Sequence, residues 1–290
     1  MIVPACSTVL SALVLCLTGS TARQTRPVWE TLPSTPALPG NPAGTKTPVN
    51  GIHIWHAEFG TNSASTLPII MLHGGFGSSN YWGDVVEILM NKHYVITMDT
   101  RGQGRSTMDN TPFSYDLFAQ DAAETLKSLG ISQAVWVGWS DGADTILAGL
   151  LNATIAPMIA RGFITGANHN VAAVNATFTN TTIYNEFVTR AAAEYQTFQP
   201  NGNLTALANA LTVLGSTQPQ WTGSDLAKIT LGPLLTMSWG QYEEAVDRSE
   251  PGVMHGFLPE SKLKILKNAS HFGPLQQPAA FADLVETFLS

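Results

Sequence analysis

Cysteine and charged side chains are both scarce in this chain. Only two cysteines occur among the 290 residues, Cys6 and Cys16, and both lie within the first 22 positions. If that segment is removed, the remaining chain has no disulfide and no thiolate chemistry. A core can form without disulfides, because 44% of the residues are apolar and the chain is long enough for a large domain.

Charged residues make up only 12% of the sequence, well below the usual quarter in soluble domains. The net charge is −7, which disfavours phosphate backbones and anionic membrane surfaces as partners. We therefore expect no nucleic acid and no membrane as partner. No metal-ligand cluster stands out, so neither a metal nor a cofactor is expected.

Residues 1–22 contain no charged side chain. A short apolar run, Val9–Leu17, is followed by the small residues Ser20, Thr21 and Ala22. This pattern predicts a signal peptide that is cleaved near Ala22, and hence a secreted protein, although the usual positive charge at the start is missing. A disordered or anchoring N-terminus is the alternative.

Five Asn-x-Ser/Thr triplets accompany this start and predict a glycoprotein whose glycans would compensate for the sparse charge. They are Asn152, Asn175, Asn180, Asn203 and Asn268. The alternative is that several are buried or never modified.

The remaining chain divides by its hydrophobic pattern. Residues 23–50 are rich in Pro, Thr and Ser and predict an extended lead-in or linker. From residue 51 to 290 short apolar runs alternate with helical stretches, which predicts an α/β domain with a mostly parallel sheet and helices on both faces. Residues 168–222 interrupt the alternation with helical patches and predict an inserted helical cap. A helix is expected over Glu244–His255 after the alternation resumes.

The motif with the clearest chemical meaning is Gly138-x-Ser140-x-Gly142, which follows the apolar run Ala134–Val137 and precedes a helical segment. A tight strand-to-helix turn of this kind exposes a serine over the carboxyl edge of a sheet, with glycines relieving the crowding. The context predicts that Ser140 is a nucleophile.

A serine nucleophile also needs amide donors and a base. The segment His73-Gly74-Gly75 ends another buried strand, and we expect the amides of Gly75 and Asp141 to form the oxyanion hole. Of the seven histidines, His271 follows the last predicted strand and precedes the final helix, where a base is expected in the order Ser, acid, His.

The orienting acid is less well defined by the sequence. Four carboxylates after the strand over 234–239 are candidates: Glu243, Glu244, Asp247 and Glu250. Glu243 is favoured because it lies in a loop four residues beyond the strand. Glu244 and Asp247 remain alternatives that would face solvent from the following helix. Asp141 either stabilises a protonated His271 or points into solvent or toward Arg101 or Arg105.

The motifs in this order resemble the α/β-hydrolase superfamily, most closely its helical-capped branch of esterases, lactonases and carbon–carbon-bond hydrolases. They are His73-Gly74-Gly75, Asp99-x-Arg101-Gly102-x-Gly104-x-Ser106, Gly138-x-Ser140-x-Gly142, Gly240-x-x-Glu243-Glu244-Ala245-Val246 and His271-Phe272. The resemblance implies the α/β-hydrolase fold and the triad Ser140, Glu243 and His271. Glu243 stands where the family commonly has aspartate. Asp99 and Arg101 are expected to be structural.

The expected activity is hydrolysis of a small, fairly apolar carboxylic ester or lactone through an acyl-enzyme on Ser140. Cap aromatics are candidates for the pocket wall: Tyr184, Phe187, Tyr195, Phe198 and Trp221. Alternatives are carbon–carbon-bond hydrolysis or perhydrolysis on the same triad, or a non-catalytic ligand-binding protein of the same fold. The sequence does not define the oligomeric state.

Overall fold

The computed structural model describes residues 26–63 and 66–290, so the predicted signal peptide lies outside the described residues. One eight-stranded sheet has the order β1-β2-β4-β3-β5-β6-β7-β8. Its strands are β1 Thr45–Val49, β2 Ile52–Phe59, β3 Ile69–Leu72, β4 Val95–Met98, β5 Ala134–Trp139, β6 Ile159–Thr165, β7 Leu235–Gly240 and β8 Lys262–Leu266. Only β2 runs antiparallel to its neighbours, β1 and β4, and the pairs from β4 to β8 are parallel. The predicted mostly parallel α/β sheet is confirmed.

Helices follow most of the strands and cover both faces of the sheet. They are α1 Gly83–Leu89, α2 Tyr115–Ser128, α3 Asp141–Leu151, α4 Thr182–Phe198, α5 Leu204–Thr217, α6 Gly223–Leu226, α7 Glu250–Phe257, α8 Gly273–Gln276 and α9 Pro278–Leu289. Among the described residues, no helix is both long and apolar enough to cross a bilayer.

The central strands explain why two hydrophobic cores form. Every residue of β3 is buried, since a parallel strand with helices on both faces has no solvent side. Successive side chains point to opposite faces. Ile70 and Leu72 therefore pack into one core, and Ile69 and Met71 pack into the other.

Part of the segment expected to be a lead-in or linker belongs to the sheet. β1, within the predicted lead-in of residues 23–50, pairs antiparallel with β2, and Leu32 and Leu38 are buried in the second core. The indole N–H of Trp55 donates to the carbonyl of Ala43 at 2.9 Å. This packing was not predictable from the hydrophobic pattern, because two isolated leucines among prolines form no period.

The connection from β6 to β7 contains α4, α5 and α6 and lies over the carboxyl edge of the sheet. Its two ends meet: the amide of Val171 donates to Pro219 O at 3.0 Å, and that of Trp221 donates to His169 O at 2.9 Å. These contacts bring together the two ends of the segment that was predicted to be a cap insertion.

The predicted first residue of the helix over Glu244–His255 was wrong. Residues 244–249 form a loop, and α7 begins only at Glu250, where Pro251 occupies the first turn. Proline is well suited to that position because it needs no intrahelical N–H partner there. The loop matters for the site, because it begins with Glu244, and both Glu244 and the preceding Glu243 contact His271.

Candidate active site

Ser140 occupies a strained turn between β5 and α3. Its φ of 55° and ψ of −121° lie outside the regions that ordinary residues prefer. The flanking glycines make this turn possible: a Cβ at Gly138 would stand 2.3 Å from Gly142 O, and one at Gly142 would stand 2.1 Å from Leu72 O. The spacing of the motif is therefore explained by backbone contact on both sides of the serine.

His271 lies on the loop between β8 and α8 and is buried. Its Nδ1 is 2.8 Å from Glu243 Oε1, and the amide of Ala245 donates to the same oxygen at 3.0 Å. A carboxylate only accepts, so the proton resides on Nδ1 and Nε2 is left without it. That tautomer is the one a general base for a serine requires.

The structure distinguishes the four carboxylates that the sequence left open. Glu250 is paired with a different histidine, His169, at 2.6 Å. Glu243 is buried against the imidazole, whereas Asp247 is exposed. Glu244 was expected to face solvent from a helix, which was wrong. It is half-buried in the loop, and its Oε2 accepts the backbone N–H of His271 at 2.9 Å. Glu244 thus holds the backbone of His271 while Glu243 holds its ring.

Two further residues, which sequence reasoning did not identify, position His271. The indole N–H of Trp139 donates to His271 O at 2.8 Å. Gly166, with a φ of 67°, lies against the ring, since a Cβ there would stand 2.8 Å from Cε1. The position of Trp139 inside the serine motif could have suggested a role in the site. Nothing in the sequence distinguishes Gly166 from the other glycines among the 25 in the chain.

The glycine-rich loop after β3 lies beside Ser140. A Cβ at Gly74 would stand 3.2 Å from the Cβ of Ser140. His73 fixes this loop: its Nδ1 is 2.8 Å from Gly74 O, and its Nε2 accepts the amide of Thr100 at 3.0 Å. Burial lowers the pKa of His73, which keeps the imidazole neutral in this bridging role.

The motif after β4 has structural contacts, as expected. Arg101 is fully buried and binds Asp121 with Nε at 2.7 Å and with a second nitrogen at 2.8 Å. Asp99 accepts the amide of Ser79 at 2.7 Å and the guanidinium of Arg105 at 3.0 Å. Asp99 and Arg101 therefore stabilise the loops through other partners rather than through each other.

The side chain of Asp141 does not point into bulk solvent or toward Arg101 or Arg105, so that expectation was wrong. Its Oδ1 accepts the hydroxyl of Tyr115 at 3.1 Å. Its Oδ2 lies over Gly75, where a Cβ would stand 2.4 Å away. Burial raises the pKa of Asp141 to about 6, against the opposing effects of the Tyr115 hydrogen bond and the charge of His271.

Ser140, Asp141, His271 and Gly75 line one cavity of about 620 Å³ beneath the cap. Most of the other lining is apolar, and its larger side chains are Phe76, Trp139, Val174, Phe178, Tyr184, Phe187, Val188, Leu211, Val246 and Phe272. Tyr184 and Phe187 belong to this wall as expected. Tyr195, Phe198 and Trp221 do not line it: Tyr195 is buried in the core, Phe198 packs under Arg105 at 3.9 Å, and Trp221 packs near Tyr115.

The described part of the chain has no group of three or more His, Cys, Asp or Glu side chains that could hold a metal ion. Ser140, Asp141 and His271 are the nucleophilic, acidic and basic side chains of the cavity. Its other polar side chains carry hydroxyl or amide groups and include Tyr115, Asn168, Thr179, Thr212, Ser216 and Gln218.

A family model for the alpha/beta hydrolase family matches residues 69–284. The chain belongs to this family. The match runs from β3 into α9 and so contains every candidate site residue described above.

Individual relatives match over shorter stretches. Esterase YbfF of Escherichia coli is 34% identical over 92 residues, which are 32% of this chain and 36% of that protein. A putative non-heme chloroperoxidase of Synechocystis is 32% identical over 96 residues, 33% of each protein. The chain thus aligns with about a third of the length of these curated relatives.

Solved structures of the family resemble this one over most of its length. A meta-cleavage product hydrolase from Pseudomonas fluorescens superposes with a TM-score of 0.70 at 17% identity, covering 84% of this chain and 97% of that chain. The enol-lactonase from Burkholderia xenovorans gives 0.65 at 18% identity, with 84% and 99% covered. Identity this low supports a shared fold.

Proposed function

We propose that this protein is a serine hydrolase that cleaves a carboxylic ester or lactone of a small, fairly apolar molecule. The observation that carries the proposal is that His271, held by Glu243 at 2.8 Å, lines the same cavity as the strained Ser140. A nucleophile, an oriented base and a facing glycine loop are the parts that acyl transfer needs.

In the proposed mechanism each residue of the site has a defined role. His271 accepts the proton of Ser140 as the Ser140 oxygen attacks the carbonyl carbon, while Glu243 stabilises the imidazolium that forms. The amides of Gly75 and Asp141 stabilise the oxyanion. His271 then gives the proton to the leaving alcohol, and later removes a proton from the water that releases the acid.

The substrate class follows from the cavity. Its volume of about 620 Å³ is within the usual range for small-molecule sites, and its wall is largely aromatic and aliphatic. Such a wall favours an ester or lactone with a small, largely apolar acyl or alcohol part. Carbon–carbon-bond hydrolysis and perhydrolysis could use the same residues, but no contact favours them over ester cleavage.

We extend the proposal to secretion after cleavage near Ala22 and to glycosylation of the cap. Exposed Asn180 and Asn203 support glycosylation, because their side chains border solvent. Asn175 is less suitable, because its Nδ2 donates to Glu244 O at 3.1 Å. A glycan on that nitrogen would replace a contact next to the site.

The proposal is tested with a panel of neutral p-nitrophenyl esters and lactones of increasing acyl length. We expect turnover of the smaller neutral members, declining once the acyl chain exceeds the cavity. Folded wild-type protein that turns over no member of the panel would contradict the proposal and favour the ligand-binding alternative.

The pH profile is the second expected result. Burial alone would lower the pKa of His271, but the charges of Glu243, Glu244 and Asp141 outweigh it and raise the pKa above 6.5. Because the base must be neutral to act, kcat/KM should fall as the pH drops through a value above 6.5. Glu244→Gln should shift this acid limb to lower pH. An acid limb of the wild type below 6.5 would contradict the assignment of these charges.

A further inference from the structure

Asp141 places a carboxylate at an unexpected point in the site, on the wall beside the amide that should stabilise an oxyanion. It is the first residue of α3, directly after Ser140. Tyr115 donates to Oδ1 at 3.1 Å, and the close approach of Oδ2 to Gly75 leaves no room for a methyl group there. These contacts fix the carboxylate in one orientation rather than leaving it free to turn away.

No lysine or arginine is among the described residues that line the cavity. The titratable groups that face Asp141 are Tyr115 on α2, Asp144 one turn along α3, and His271. Asp144 is itself buried, and burial raises its pKa well above the ordinary value. Asp141 therefore has no fixed cation as a partner, apart from His271 during the moments when the imidazole is protonated.

A negative side chain at this point acts on whatever charge the substrate brings. A second negative charge on the acyl group would be repelled in an apolar cavity, where charges interact more strongly than in water. A positive charge there would be attracted, and it would also offset the repulsion between Asp141 and the developing oxyanion. The expected preference for positive over negative acyl groups thus follows from the negative charge of Asp141.

We propose that Asp141, held in place by Tyr115, sets the charge preference of the site, so that esters with a positive or neutral acyl group are accepted and those with an anionic acyl group are rejected. This inference rests on the proposed ester hydrolysis. It deepens that proposal by naming the residue that selects among esters.

The test uses three p-nitrophenyl esters of nearly equal size. Their acyl groups are γ-trimethylammoniobutyrate, its neutral tert-butyl isostere and γ-sulfobutyrate. For the wild type we expect kcat/KM to fall in that order, with about tenfold or more between the neutral and the anionic ester. In Asp141→Asn, which keeps the backbone amide, the difference should shrink to about threefold or less.

Asp116→Asn is the matched control, because Asp116 is an exposed carboxylate next to Tyr115 on α2. It removes the same charge outside the cavity and should keep the wild-type order. An order that is missing in the wild type, or that persists in Asp141→Asn, would overturn the inference.

A second readout needs no variant, should Asp141→Asn fail to fold. Burial raises the pKa of Asp141 to about 6, so the ratio of kcat/KM between the neutral and sulfonated esters should decline in the wild type as the pH falls through that value. The titration of His271 cancels in this ratio, since both esters depend on it equally. A ratio that stays constant would overturn the inference.

Fluorophosphonate labelling separates the two proposals. Protein that labels and hydrolyses the neutral ester without any charge order contradicts the inference alone. Folded protein that neither labels nor hydrolyses any ester contradicts the proposed function, and the inference falls with it.

Discussion

Ser140→Ala is expected to lower kcat for ester hydrolysis by about 10⁴- to 10⁶-fold. Without the hydroxyl no acyl-enzyme can form, and only the oxyanion donors and the binding of substrate remain to assist direct attack by water. The comparison is made at a pH above the acid limb, with the rates of both proteins corrected for spontaneous hydrolysis.

Ser216→Ala is the matched control for this substitution. Ser216 lies on α5, is exposed and lines the same cavity, so its loss removes a serine hydroxyl without touching the proposed machinery. We expect its kcat to stay within about threefold of the wild type, as for most surface changes. Equal losses in both variants would argue that the cavity, and not Ser140, determines the rate.

Glu243→Gln is expected to lower kcat by about 10³- to 10⁴-fold, because an amide cannot stabilise the imidazolium or enforce the tautomer that leaves Nε2 free. Glu244→Gln should cost about tenfold or less. Glu244 accepts the backbone N–H of His271 at 2.9 Å, and a glutamine oxygen can still accept that bond.

Each of the two glutamates is thus the control for the other, since they are adjacent and undergo the same change. A larger loss in Glu244→Gln than in Glu243→Gln would contradict the assignment of the acid. The result also tests whether a glutamate serves well as the acid of this site.

Local sequence predicted the parts of the site that depend on local geometry. The turn at Ser140 follows from glycines two residues away on either side, because backbone oxygens lie 2.1–2.3 Å from where their Cβ atoms would be. The sheet was predictable for a similar reason, since fully buried parallel strands such as β3 and β5 are continuous apolar runs.

The remainder of the site depends on contacts between distant segments, which periodicity does not encode. Tyr115 reaches Asp141 across 26 positions, and Trp139 reaches His271 across 132. The orientation of Glu244 was misjudged because the helix was placed six residues too early, and a helix would have directed that carboxylate outward. Contacts of this kind had to be seen in the structure.

The packing of the Pro-rich lead-in was also not predictable from the hydrophobic pattern. Leu32 and Leu38 stand among prolines with no repeat, yet both are buried, and Gln276 Nε2 donates to Thr31 O at 2.9 Å near the His271 loop. Segments that pack as single irregular strands contribute to a core without any hydrophobic period. Their burial depends on the shape of the surface they cover.

Whether Ser140 is an activated nucleophile is measured by labelling with a fluorophosphonate, followed by peptide mapping with mass spectrometry. We expect a single adduct on Ser140 in the wild type, and none in Ser140→Ala. Labelling should be greatly slowed in His271→Ala, whereas His53→Ala, which changes an exposed histidine on β2, should label normally. An adduct on another residue, or unlabelled folded wild-type protein, would contradict the assignment of Ser140 as the nucleophile.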